Sequence, residues 1–156
     1  MLDGRTGFSR PDLRGARFAC LALAFLAAGC SSTSVPEVTV GGDDYAFILT
    51  DSVPSGPVRF TFENRGQVRH EMVLVQLAEG ATLADLGAAV QSGADAFELI
   101  SSFGGVLIAA PGTTAWGQLQ VNLEPGRTYA LLCNFRDAED APPHTELGMV
   151  KEFVVQ

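Results

Sequence analysis

Positive charge is scarce in this chain. Ten Lys and Arg stand against 18 Asp and Glu in 156 residues, a formal net charge of −8. Four of the ten, Arg5, Arg10, Arg14 and Arg17, lie near the start, with only Asp3 and Asp12 to balance them; beyond residue 29 the net charge is near −10. Binding a phosphate backbone or an anionic lipid surface requires clustered basic side chains, so nucleic acid and electrostatic membrane attachment are excluded. A partner with a basic face would be steered toward such a surface, although much of this acidity serves solubility alone. A membrane-crossing run is also missing. Residues 18–28 are apolar, but the stretch is well short of the roughly 20 residues that span a bilayer. Histidine is reduced to two residues, and cysteine and methionine to three each.

The four arginines, the apolar run and the small residues after it read as an export leader. Leu26-Ala27-Ala28-Gly29-Cys30, followed by Ser31 to Ser34, resembles the lipobox of bacterial lipoproteins. That resemblance implies cleavage before Cys30 and acylation of its thiol; an ordinary secretory signal cut nearby is the alternative. The expected organisation is a signal peptide over 1–29, a lipidated Cys30 with a tether over 30–37, and one domain over 38–156. The expected location is outside the cell membrane, held by acyl chains to the outer face of the inner membrane or to the outer membrane. Cys20 leaves with the leader and Cys30 is consumed by lipid, so Cys133 stands alone in a compartment where thiols normally pair. Metal ligation accounts for a lone thiol there. A buried inert cysteine, or a Cys30–Cys133 disulfide should lipidation fail, are the other readings.

Past the tether, short apolar and β-branched runs alternate with Gly, Pro and Asp. Strands are expected at 38–40, 45–49, 58–62, 70–77, 114–123, 129–133 and 150–155. Val58-Arg59-Phe60-Thr61-Phe62 alternates with period two, as a half-buried strand does, whereas His70 to Leu77 is apolar enough to be covered on both faces. Residues 78–112 break the pattern. Leu83, Leu86 and Val90 follow helical spacing behind Thr82, an N-cap candidate, and an apolar, glycine-containing stretch follows from Phe97 to Ala110. This segment reads as an insertion lying over one end of the structure. The fold class is all-β, a Greek-key β-sandwich with a helical and apolar insertion around 78–112.

Both histidines fall into one pattern with a cysteine and a methionine: His70, Cys133, His144 and Met149. Two imidazoles, one thiolate and a weak thioether form the ligand set that suits copper in electron transfer. Taken singly, each has an ordinary alternative: His70 a hydrogen-bonded core histidine, Met149 core filler like Met72, His144 a loop residue with an exposed edge. Once these residues are assigned, no acid–base or nucleophile constellation remains, so an enzyme is not expected.

The chain from Val38 to Gln156 resembles the cupredoxins, the small blue-copper β-sandwiches. Asn64-x-Gly66-x-x-x-His70 is similar to the family's turn before its first histidine ligand. Leu123-Glu-Pro-Gly126-Arg-Thr-Tyr129-Ala-Leu-Leu-Cys133 is similar to its strand leading to the cysteine, and Pro143-His144-Thr-Glu-Leu-Gly148-Met149 to its closing motif. The resemblance implies one type 1 copper, with His70, Cys133 and His144 as strong ligands and Met149 as the axial one. The long Cys133-to-His144 loop carries Asp137, Glu139 and Asp140, and Glu71 stands where many members hydrogen-bond the cysteine sulfur. Three functions are compatible: a lipid-anchored one-electron carrier with a membrane-side redox partner, a non-redox copper delivery module, and a metal-free recognition domain. Two histidines and three methionines are too few for a multi-copper store.

Overall fold

The computed structural model describes residues 34–49 and 52–156. The expected signal peptide, the acylation site Cys30 and the first tether residues lie outside them. The described chain forms eight strands: β1 (Glu37–Asp43), β2 (Ala46–Ile48), β3 (Gly56–Asn64), β4 (His70–Leu77), β5 (Ile100–Ala109), β6 (Leu119–Leu123), β7 (Thr128–Leu132) and β8 (Val150–Val154). They build two four-stranded sheets, ordered β2-β1-β3-β6 and β5-β4-β7-β8. Within the first, β1 runs parallel to β3, with Val40 opposite Phe62; every other pairing in the two sheets is antiparallel.

The period-two pattern of β3 sets its orientation. Val58, Phe60 and Phe62 are completely buried, whereas Arg59 and Thr61 face outward. They meet Val38 and Val40 of β1, Met72 and Leu74 of β4, and Tyr129 and Leu131 of β7 in one core. Burial of each large apolar side chain contributes about 1.5–3 kcal/mol. Tyr129 also fixes the Pro125–Gly126 corner, its hydroxyl accepting the N–H of Glu124 at 3.1 Å.

β4 is covered on both faces, as its composition requires. Met72 and Leu74 enter the main core, whereas Val73, Val75 and Leu77 join Ala130 and Leu86 in a second cluster on the outer side. Leu86 belongs to α1 (Leu83–Ser92). Thr82 caps this helix: its hydroxyl accepts the Asp85 N–H, and the Asp85 carboxylate accepts the Thr82 N–H. Gly93, with φ 73°, ends the helix in the left-handed conformation that a Cβ disfavours.

The segment 78–112 therefore divides. Its helical half lies against the outer face of a sheet, not over an end of the sandwich. After one 3-10 turn (Ala96–Leu99), its apolar half becomes β5, paired along β4 from His70↔Ala109 to Leu77↔Ile100. An apolar run beside an unpaired strand edge finds more partners in the ladder than in a loop. The expected strand 114–123 is shorter than its composition implied. Thr114 makes only an isolated bridge to Glu63, and the chain turns at Gly117 (φ 143°) before β6 begins.

Candidate metal centre

One pole of the sandwich collects the start of β4, the end of β7 and the loop that follows. The turn before β4 is tied by Asn64. Its side-chain NH2 donates to the carbonyls of Val68 (2.8 Å) and Ala109 (3.1 Å), and its Oδ1 accepts the Gly66 N–H (2.9 Å). This sets His70 as the first residue of β4. Cys133 directly follows β7, donating its N–H to Met149 O (3.2 Å) and accepting the N–H of Thr145 (2.8 Å). The ten-residue loop folds back, so that His144 N–H donates to Phe135 O (2.8 Å) and Met149 N–H donates to His144 O (2.9 Å). Backbone bonds, not the side chains alone, bring Cys133, His144 and Met149 together.

His70, Cys133 and His144 are all fully buried. His70 Nδ1 and His144 Nδ1 are 3.1 Å apart, and Cys133 Sγ lies 3.8 Å from the first and 3.4 Å from the second. These three side chains form a group able to hold a metal ion. The outward nitrogens decide what the inward ones can do. His70 Nε2 lies 3.2 Å from Asp44 Oδ1, and His144 Nε2 lies 3.0 Å from Asp137 Oδ1. An ionised carboxylate only accepts, so each Nε2 carries a proton, and in the neutral imidazole that ligates a metal each Nδ1 presents its lone pair. Two such nitrogens and a sulfur face one another among fully buried side chains, with only the thiol proton to share. A cation resolves that arrangement. The separations also suit a triangle around one first-row ion with bonds of about 2.0–2.3 Å.

Electrostatics agree. Burial pushes the Cys133 thiol up from its ordinary value, opposed by the N–H groups of Glu71 and Phe135. Burial pushes His70 down, opposed by its bond to Asp44. Asp44 is held below the usual carboxylate range chiefly by the Gln67 N–H, and Asp137 chiefly by the Tyr45 hydroxyl. Burial thus favours the uncharged forms of Cys133 and His70, and a bound cation would displace the thiol proton.

His144 has no exposed edge, contrary to the expectation for a proline-flanked loop residue: it is 0 % accessible, and Asp137 covers its outer nitrogen. Met149 is also fully buried, in the cluster that contains Cys133. Met72 is buried on β4, as expected of core filler. At Glu71 the backbone N–H, not the side chain, reaches Cys133 Sγ (3.4 Å), while the carboxylate accepts the Asn134 N–H (3.0 Å). Among the described residues Cys133 is a free cysteine. Sequence reasoning missed Asp44 and Tyr45 and took Asp137 only as loop charge. The one available signal was the clustering of these acids beside turn residues.

No protein-family model and no curated protein matches the chain. Among solved structures, it is similar to dithionite-reduced auracyanin from the photosynthetic bacterium Roseiflexus castenholzii, at 20% identity and TM-score 0.52, covering 79% of this chain and 98% of that one. It is also similar to auracyanin B, at 24% identity and TM-score 0.53, covering 79% and 91%. The chain has the cupredoxin fold. Within that cupredoxin fold, the His70–Cys133–His144 group occupies the loop-rich pole where β4 begins and β7 ends.

Proposed function

We propose that this protein is an exported one-electron carrier, tethered to a membrane through acylated Cys30, with a single type 1 copper held by His70 Nδ1, Cys133 Sγ and His144 Nδ1 and weakly by Met149. The observation that carries the reading is the convergence of two lone-pair imidazole nitrogens on a buried thiol. The structures it is similar to, one described as dithionite-reduced, support the same chemistry.

Bound copper would supply a Cu(I)/Cu(II) couple, which the soft thiolate and the two imidazoles suit in both states. The residues do the rest. Ladder and loop bonds hold the donors, so little rearrangement accompanies electron transfer. Their complete burial excludes water and slows exchange, which favours the carrier over a delivery module. The acidic domain suits a redox partner with a basic docking face. Among the described residues no helix is long and apolar enough to cross a membrane, and two or more acyl chains on Cys30 would suffice for stable attachment.

The test is the visible spectrum of the domain loaded with Cu(II). An intense thiolate-to-copper absorption, abolished in Cys133→Ser while the sandwich stays folded, is expected. A folded, colourless domain with reduced Cys133 ends the reading. In the full chain, Cys30→Ala should remove detergent-phase partitioning; identical partitioning would disprove the anchor.

A further inference from the structure

The two residues at the tip of the β1–β2 hairpin, Asp44 and Tyr45, both turn toward the metal pole. Asp44 Oδ1 meets His70 Nε2 at 3.2 Å. Tyr45 donates its hydroxyl to Asp137 Oδ2 at 2.5 Å, and the other oxygen of Asp137 meets His144 Nε2 at 3.0 Å. The Tyr45 ring stands edge-on to His144, with centroids 5.0 Å apart. Local geometry shows that this placement is not incidental. Tyr45 is the one non-glycine residue with positive φ, 64°, among the described residues, a conformation that bulky side chains disfavour. Asp44 accepts the N–H groups of Gln67 (2.9 Å) and Val68 (3.3 Å), and a Cβ on Gly66 would collide with its carboxylate. The hairpin tip is thus seated against the turn that precedes His70. Both carboxylates are about one-third exposed, while the imidazoles beneath them are 0 and 1 % exposed.

We propose that Asp44 and Asp137 form a paired carboxylate clamp that fixes both histidines with Nδ1 inward and biases the site toward the more highly charged metal state. This rests on the copper reading above, and both are positioning residues that act through the imidazoles. A carboxylate on the outer nitrogen fixes tautomer and ring orientation and raises the basicity of the ligating nitrogen. Its negative charge, close to the centre and partly shielded from solvent, stabilises Cu(II) over Cu(I). Two such carboxylates, one per histidine, lower the reduction potential below that of the same donors without them. They also cover the imidazole edges, so solvent and partner reach each ligand through an aspartate.

The experiment compares wild type with Asp44→Asn, Asp137→Asn and Asp140→Asn. The Asp140 substitution removes the same charge from the same loop without touching an imidazole and serves as the control. Asp44→Asn keeps an acceptor oxygen for the turn N–H groups, and among the described residues Asp137 accepts no backbone N–H, so at least one variant leaves the loops intact. The readouts are the copper reduction potential and, by chelator competition, Zn(II) affinity, which involves no redox step. Each clamp variant should keep the thiolate absorption, lose tenfold or more in Zn(II) affinity, and lose Cu(II) affinity preferentially over Cu(I). A tenfold preference equals a rise of about 59 mV. Clamp variants that match Asp140→Asn in both readouts overturn the inference. A colourless wild type that still binds Zn(II) sinks the carrier reading, while the Zn(II) series goes on to decide the clamp. A wild type that binds neither metal overturns both.

Discussion

The metal pole and the helical flank share strand β4 and are built in opposite ways. At the pole, buried polar atoms dominate, and each is tied: His70 and His144 to carboxylates, Cys133 to backbone N–H groups, and the loops to one another through Asn64, Phe135 and Thr145. On the flank, α1 rests on Val73, Val75, Leu77 and Ala130 with Leu86 as its one buried residue, while Val90, Phe97 and Phe103 stay exposed. Directional bonds hold donor atoms to a few tenths of an ångström; a small apolar cluster holds a helix in place without dictating such geometry. Chemistry belongs at the first region, and the second mainly closes a sheet face.

The largest expected effect falls on the flank. Leu86→Ala should cost about 2–3 kcal/mol, read as a lower denaturant midpoint, with no change in the copper absorption. A spectral change would mean that the two regions are mechanically coupled. A smaller effect belongs to the pole, at Met149. A harder amide oxygen favours Cu(II), so Met149→Gln should lower the reduction potential, and Met149→Leu, which removes the donor, should raise it, with shifts of the order of 59 mV per tenfold change. Met72→Leu, in the core, should leave the potential in place. If Met72 moves it and Met149 does not, Met149 is filler.

The smallest effect concerns the helix cap and pH. The Thr82 hydroxyl and N–H hold Asp85 below its ordinary 3.8. A depressed carboxylate contributes stability above its unfolded-state value, lost as pH falls through the folded-state value. Asp85→Ala should therefore lower the denaturant midpoint slightly at neutral pH and not at all in strong acid. An equal difference at both pH values would count against the charged cap.

Much of this was legible beforehand because burial imposes local patterns. Alternation at Val58–Phe62 marked β3, continuous apolarity marked β4 as covered twice, and Thr82 marked the start of α1. The apolar stretch through Val106 and Ile108 was read as part of an insertion because its partner is β4, well separated from most of it along the chain, and short apolar runs do not announce their partners.

The identity and order of His70, Cys133, His144 and Met149 were determined by sequence alone, since few residue types offer soft and imidazole donors and this chain has almost none to spare. Tertiary structure alone decided how those donors are dressed. Asp44 and Asp137 look, in sequence, like any acids beside turns. Tyr45 meets Asp137 across 92 positions, through a hairpin tip whose direction depends on sheet register and on the space left by Gly66. Hydrogen bonds of that range are settled by the packing of whole strands, and no local pattern encodes them.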